Sequence, residues 1–146
     1  MIVIGLGNEF RHDDAIGLVA ARRLCDRGIP AEEHEGDLAT LIDLWKGADA
    51  LILIDAVTSG AAPGTVYRVD VSVSTLNREL FKSSTHALGL ADAVEMSRAL
   101  GTLPARVLVF GVEVEDLSAG VGLSTDVAEA LTALLEDVVG LCTKWR

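Results

Sequence analysis

The first seventeen residues, Met1-Ile-Val-Ile-Gly-Leu-Gly-Asn-Glu-Phe-Arg-His-Asp-Asp-Ala-Ile-Gly17, constrain this chain's fold more than any other stretch. Residues 1–4 read as a short buried strand. Gly5 and Gly7 permit a tight exit from a sheet, where a side chain would block the backbone. Asn8 turns the loop through its own amide. Asp13 and Asp14 fall where a helix should begin, and its dipole favours carboxylates there. A strand, a glycine turn, a polar loop and an acidic helix start place carboxylates at the carboxyl edge of a sheet. Open α/β proteins keep their chemistry at that edge.

The remaining pattern extends this unit. Ala15, Ile16, Val19, Ala20 and Leu24 recur at helical spacing, so residues 14–27 read as an amphipathic helix stopped by Gly28 and Pro30. Residues 31–35 form a short polar strand near an edge. Residues 38–45 form a second helix. The unbroken apolar run at 50–56 is the clearest strand, and its pattern implies burial on both faces, as in a parallel sheet. Asp55 stands at its carboxyl end. Residues 66–73 read as a strand near a sheet edge; the short link from the preceding strand suits an antiparallel neighbour. A helix over 87–100, a buried strand over 105–112 and a last helix capped by Ser124 or Thr125 complete the chain. Alternating strands and helices predict an α/β fold, a three-layer α/β/α sandwich on a mostly parallel sheet of about five strands. Residues 1–146 read as one domain, without repeat, linker or low-complexity tract.

Charge and thiols narrow the function. With 22 acidic against 12 basic residues the net charge is −10. A nucleic-acid binder needs a basic footprint, so that class is disfavoured. An acidic enzyme suits a cation or a basic patch on a protein partner. Cys25 and Cys142 lie far apart in predicted helices and read as reduced, packed thiols. The N-terminus lacks the basic flank and cleavage site of a signal peptide, and the apolar runs fall far short of the roughly 20 residues a membrane span needs. A soluble cytoplasmic protein is expected.

Three polar residues fall at strand exits or in loops facing that edge: Asp14, Asp55 and His86. If strands one and three are neighbours, their exits flank a crevice that the His86 loop can close. Two carboxylates and an imidazole suit a borderline divalent metal such as nickel, zinc, cobalt or manganese. Three protein ligands leave positions open for water or substrate. Read singly, each has a plainer explanation: Asp14 a helix-start carboxylate, Asp55 a turn former, His86 a solvated loop histidine. Their separations, roughly 30 to 40 residues, carry no local signature. Asp13 competes with Asp14, and helical geometry lets only one of the pair face the crevice. His12 and His34 read as surface residues, and Asp37 either flanks the site or caps its helix. No G-x-S-x-G elbow, dinucleotide fingerprint or phosphate-loop lysine is present.

Taken in order, Gly5-Leu-Gly-Asn8, Asp13-Asp-Ala-Ile-Gly17, Ile54-Asp-Ala56, Pro63-Gly-Thr65, His86-Ala-Leu-Gly-Leu-Ala-Asp92, Phe110-Gly-Val112 and Gly122-Leu-Ser124 resemble the hydrogenase maturation endopeptidases. Each piece is weak alone; the ordered set is specific and covers nearly the whole chain. The resemblance implies a phosphorylase/hydrolase-like sandwich and an enzyme that removes a C-terminal peptide from a nickel-iron hydrogenase large-subunit precursor after nickel insertion. It implies nickel supplied by that precursor, replaceable by another divalent ion, and contacted by Asp14, Asp55 and His86. It implies a monomer or weak dimer with no nucleic-acid or membrane partner.

Two departures stand out. The helix-start ligand is often glutamate in the family; Asp14 is one methylene shorter, so its oxygen retreats by roughly one carbon–carbon bond, about 1.5 Å. Gly36-Asp37 follows the second strand where some relatives have a glycine-rich turn. Two competing readings remain: a non-catalytic nickel-dependent chaperone of the immature subunit, and a peptidyl-tRNA hydrolase-like esterase. The latter shares the opening glycine turn but is opposed by the acidic charge.

Overall fold

The computed structural model describes residues 1–81 and 89–145. Five strands form one sheet: β1 (Ile2–Leu6), β2 (Glu32–His34), β3 (Ala50–Val57), β4 (Val66–Asp70) and β5 (Arg106–Glu113). Their order is β2-β1-β3-β5-β4. The first four in that order run parallel, and β4 lies antiparallel to β5. Among the described residues four α-helices accompany them: α1 (Ile16–Asp26), α2 (Leu38–Trp45), α3 (Leu90–Leu100) and α4 (Thr125–Lys144).

The sheet is covered on both faces. Val3, Ile52, Ile54, Phe110 and Val112 pack against α1 and α4 through Ile16, Leu24, Val127 and Leu134. Ile4, Leu51, Leu53 and Val109 pack against α2 and α3 through Leu41, Trp45, Val94 and Ala93. Alternate residues of β3 thus feed two cores, which explains its uninterrupted apolar run. Each fully buried aliphatic side chain contributes roughly 1.5–3 kcal/mol of transfer free energy. Trp45 brings a polar atom into this core and satisfies it, its Nε1 donating to Ser97 Oγ at 2.8 Å.

The expected three-layer sandwich is therefore present, with two corrections. The first helix does not start at Asp14. A single 3-10 turn, His12–Ala15, comes first, and the α-helix begins at Ile16. The edge strand β4 is antiparallel as expected, but its partner is β5 rather than the preceding β3. The link at residues 58–65 steps over β5 to the outer edge.

This order puts a topological switch between β1 and β3. From there the chain runs outward to β2 on one side and to β5 and β4 on the other. A crevice forms at the carboxyl ends of such a pair, because the connections leave in opposite directions.

Candidate active site at the switch point

Backbone proximity builds the crevice. A Cβ on Gly17 would lie 2.3 Å from Leu6 O and 2.4 Å from Ile54 O. Only glycine lets the start of α1 rest directly on the ends of both central strands. Gly7 has φ of 153°, and a Cβ there would lie 1.9 Å from Asp14 O. The turn carrying Asp13 and Asp14 is thereby seated on the exit of β1, next to the exit of β3.

The two consecutive carboxylates then part company. Asp13 has no exposed surface. Its Oδ2 accepts from the backbone N–H groups of Glu115 and Asp116, both at 2.9 Å, and from the Ser124 hydroxyl at 2.7 Å. Its Oδ1 accepts from Ser124 N–H at 2.7 Å. Burial alone would raise its pKa, but these donors outweigh burial and hold the carboxyl below the usual 3.8. Asp13 is thus an anion clamping the β5–α4 loop. Ser124, expected as a helix cap, occupies that position but spends its hydroxyl on Asp13.

Asp14 stays partly accessible at the mouth. Its charge reaches Asp55 at the end of β3. Asp55 is half-buried, and its only hydrogen bond among the described residues is from Ala56 N–H at 2.8 Å. Burial raises its pKa, the Ala56 bond opposes the rise, and the Asp14 charge adds to it; the carboxyl is pushed up to about 7. A carboxylate poised near neutrality beside a second acid, with few donors of its own, is suited to a cation or to proton transfer.

Two further features were not legible as site elements. Glu113, at the end of β5, is 1% exposed. Its carboxylate accepts from Ser59 N–H at 2.9 and 3.1 Å and from the Ser59 hydroxyl, which also meets Tyr67 OH at 2.9 Å. It holds the loop after β3 as Asp13 holds the loop after β5. The only sequence signal was its place at the end of an apolar run, like Asp55. Phe81 is the second feature. A Cβ on Gly111, the register partner of Asp55, would meet the Phe81 ring at 3.0 Å. Phe81 O accepts from Leu90 N–H at 3.1 Å.

His86 lies in residues 82–88, outside the described residues. Among the described residues, no three His, Cys, Asp or Glu side chains are grouped to hold a metal ion; Asp14 and Asp55 are the pair that couples. Asp37 is a helix cap, its Oδ1 accepting from Ala39 N–H at 2.8 Å. His12 faces Gly122 O at 3.0 Å through Nδ1, and His34 faces Asp37 O at 3.0 Å through Nε2.

The fold and this pair of neighbouring acids at a sheet switch define an α/β protein with two carboxylates at the carboxyl end of its central strands. Known proteins share the fold. The family described as hydrogenase maturation protease matches residues 36–141. The Hydrogenase 2 maturation protease of Escherichia coli K12 is 32% identical, with 95% of this chain and 88% of that protein covered. The solved structure of the Escherichia coli hydrogenase maturating endopeptidase HybD superposes with a TM-score of 0.79 at 29% identity, covering 98% of this chain and 91% of that one. The maturation protease HybD of Thermococcus kodakarensis superposes with a TM-score of 0.74 at 25% identity, covering 96% and 97%. The hydrogenase expression/formation protein HupD of Thiocapsa roseopersicina is 28% identical and longer, with 93% of this chain and 64% of that protein covered. This chain belongs to the hydrogenase maturation protease family.

Proposed function

We propose that the chain is an endopeptidase that removes a C-terminal peptide from the precursor of a nickel-iron hydrogenase large subunit after nickel insertion. Family membership supplies the reaction class. The observation that carries the rest is Asp55: a half-buried carboxylate with one donor among the described residues, raised to about 7 by burial and by the Asp14 charge. Two acids in mutual repulsion favour a shared divalent ion, which relieves both the repulsion and the desolvation.

In this reading nickel arrives as part of the substrate. Asp14 and Asp55 contribute carboxylate oxygens and His86 an imidazole nitrogen, a donor set suited to a borderline ion. The support for His86 comes from its flank. Leu90 is tied to Phe81, which packs over the register partner of Asp55. Leu90 is four positions along the chain from His86, a reach of at most about 14 Å. Asp14, Asp55 and His86 would hold the ion at the mouth, where it would supply Lewis-acid polarisation of the carbonyl of the scissile segment. Asp55 and Asp14 orient that segment and accept the proton of the attacking water when not engaged as ligands. The work takes place in the reducing cytoplasm, where Cys25 and Cys142 stay free thiols. Among the described residues no helix is long and apolar enough to cross a membrane.

The test is the mass of a nickel-loaded precursor after incubation with the protein. The parent should shorten it, while Asp55→Ala and His86→Ala should fold and leave it intact. Processing by both variants at the parental rate refutes the site. A precursor that binds the parent but keeps its full mass favours the chaperone reading.

A further inference from the structure

Two exposed apolar side chains stand on the loops that wall the site. Phe10, in the β1–α1 loop, is 64% exposed, and Val121, in the β5–α4 loop, is 68% exposed. The loops are laced together. Gly120 N–H donates to Phe10 O at 2.9 Å, His12 N–H donates to Gly120 O at 3.0 Å, and Arg11 pairs with Gly120. The two apolar residues therefore sit on adjoining backbone. Phe10 is also tied to the turn that bears Asp14. Its N–H bonds Asn8 Oδ1 at 2.9 Å, Asn8 N–H bonds Asp14 O at 3.4 Å, and Asp14 N–H bonds Arg11 O at 3.1 Å. Asp13, buried and fully bonded, fixes the second loop against the first.

Neither side chain has a core role. Single exposed apolar side chains are ordinary; this pair is set apart by standing on two loops bonded to each other and to the turn that bears Asp14. Its size decides the occupant. The two side chains expose roughly 200–300 Å² between them, judged from the 150–250 Å² an aromatic buries. A stable dimer needs about 800 Å² from each partner. The patch is too small for a second copy of the chain, but it fits one or two side chains of an extended peptide already fixed at its other end.

We propose that Phe10 and Val121 form an apolar docking site for the protein substrate, seating an apolar side chain of the segment next to the bond that is cut. The proposal rests on the peptidase reading of the same mouth and adds the chemistry of the residue it selects. The acids engage the cation and set where the segment lies. The apolar pair sets which residue follows, since an apolar side chain gains by leaving water there and a charged one does not.

The experiment compares the parent with the double variant Phe10→Ser/Val121→Ser, with Phe10→Leu/Val121→Ile, and with Leu100→Ser. Leu100, 65% exposed on α3 at the opposite edge of the sheet, controls for loss of any exposed apolar group. Precursor affinity is read by fluorescence anisotropy and cleavage by mass, both with nickel-loaded precursor. The serine pair should raise KM and the dissociation constant at least tenfold with kcat within twofold. The Leu/Ile pair should restore both, and Leu100→Ser should match the parent. Parental cleavage with a serine pair whose KM and affinity lie within twofold of it overturns the docking site and leaves the peptidase reading standing. Binding without cleavage by the parent overturns the peptidase reading; the docking site then stands if the serine pair weakens that binding tenfold and falls if it does not. A parent that neither binds nor cuts overturns both. A parent that sediments as a dimer, with the serine pair monomeric and fully active, assigns the patch to self-association and overturns the proposal.

Discussion

Asp13 and Asp55 are both aspartates of the same crevice, and their environments drive them to opposite states. Asp13 is enclosed by four donors from the β5–α4 loop and is held below its usual pKa. Among the described residues Asp55 has one donor; it faces the Asp14 charge and is pushed up to about 7. One side chain spends its charge on the fold; the other meets a second acid and a single donor among the described residues. Burial is common to both, so burial does not set the direction of the shift. The number of donors turned toward the carboxylate does.

The comparison is most easily broken by removing each charge. Asp13→Ala would leave three backbone N–H groups and a hydroxyl without their acceptor in a part-buried site. A loss of about 3–5 kcal/mol in unfolding free energy is expected, read by urea denaturation at pH 7. A loss under about 1 kcal/mol would mean that the clamp is dispensable.

Asp55→Asn should act in the other direction. With a folded pKa of about 7 against roughly 3.9 unfolded, the native state binds the extra proton between those values. Stability then falls as pH rises from about 4 to about 7 and stays low above. Asparagine removes that fall. The metal-free variant should be more stable than its parent by about 2–4 kcal/mol at pH 8 and nearly equal to it at pH 4, from paired denaturation curves. A difference independent of pH would sink the assignment. Asp13 titrates with the opposite sign, its contribution present above pH 4 and lost as pH falls through its lowered pKa.

Much of the fold was legible because hydrophobic periodicity reports burial directly. The run at 50–56 announced a strand covered on both faces, and β3 is that strand. The partner of β4 was not legible. Nothing in residues 66–73 records that β5, some forty residues later, inserts beside β3. That Asp14 and Asp55 stand at element ends was readable. Asp13 was not separable from Asp14, because its role depends on donors more than 100 positions away. A 3-10 turn, rather than the start of an α-helix, set which of the two turned inward. Glu113 was hidden for the same reason, its partner Ser59 being 54 positions distant. The roles that escaped the sequence are those defined by long-range partners; those that showed are defined by position within an element.

Both carboxyl carbons can be followed by NMR in metal-free protein as pH is raised from 2 to 9. The account predicts a midpoint near 7 for Asp55 and one below 3.8 for Asp13. Asp55 titrating at 4 or lower would contradict it, because the group would then be an ordinary solvated carboxylate and the crevice would hold no acid reserved for a cation.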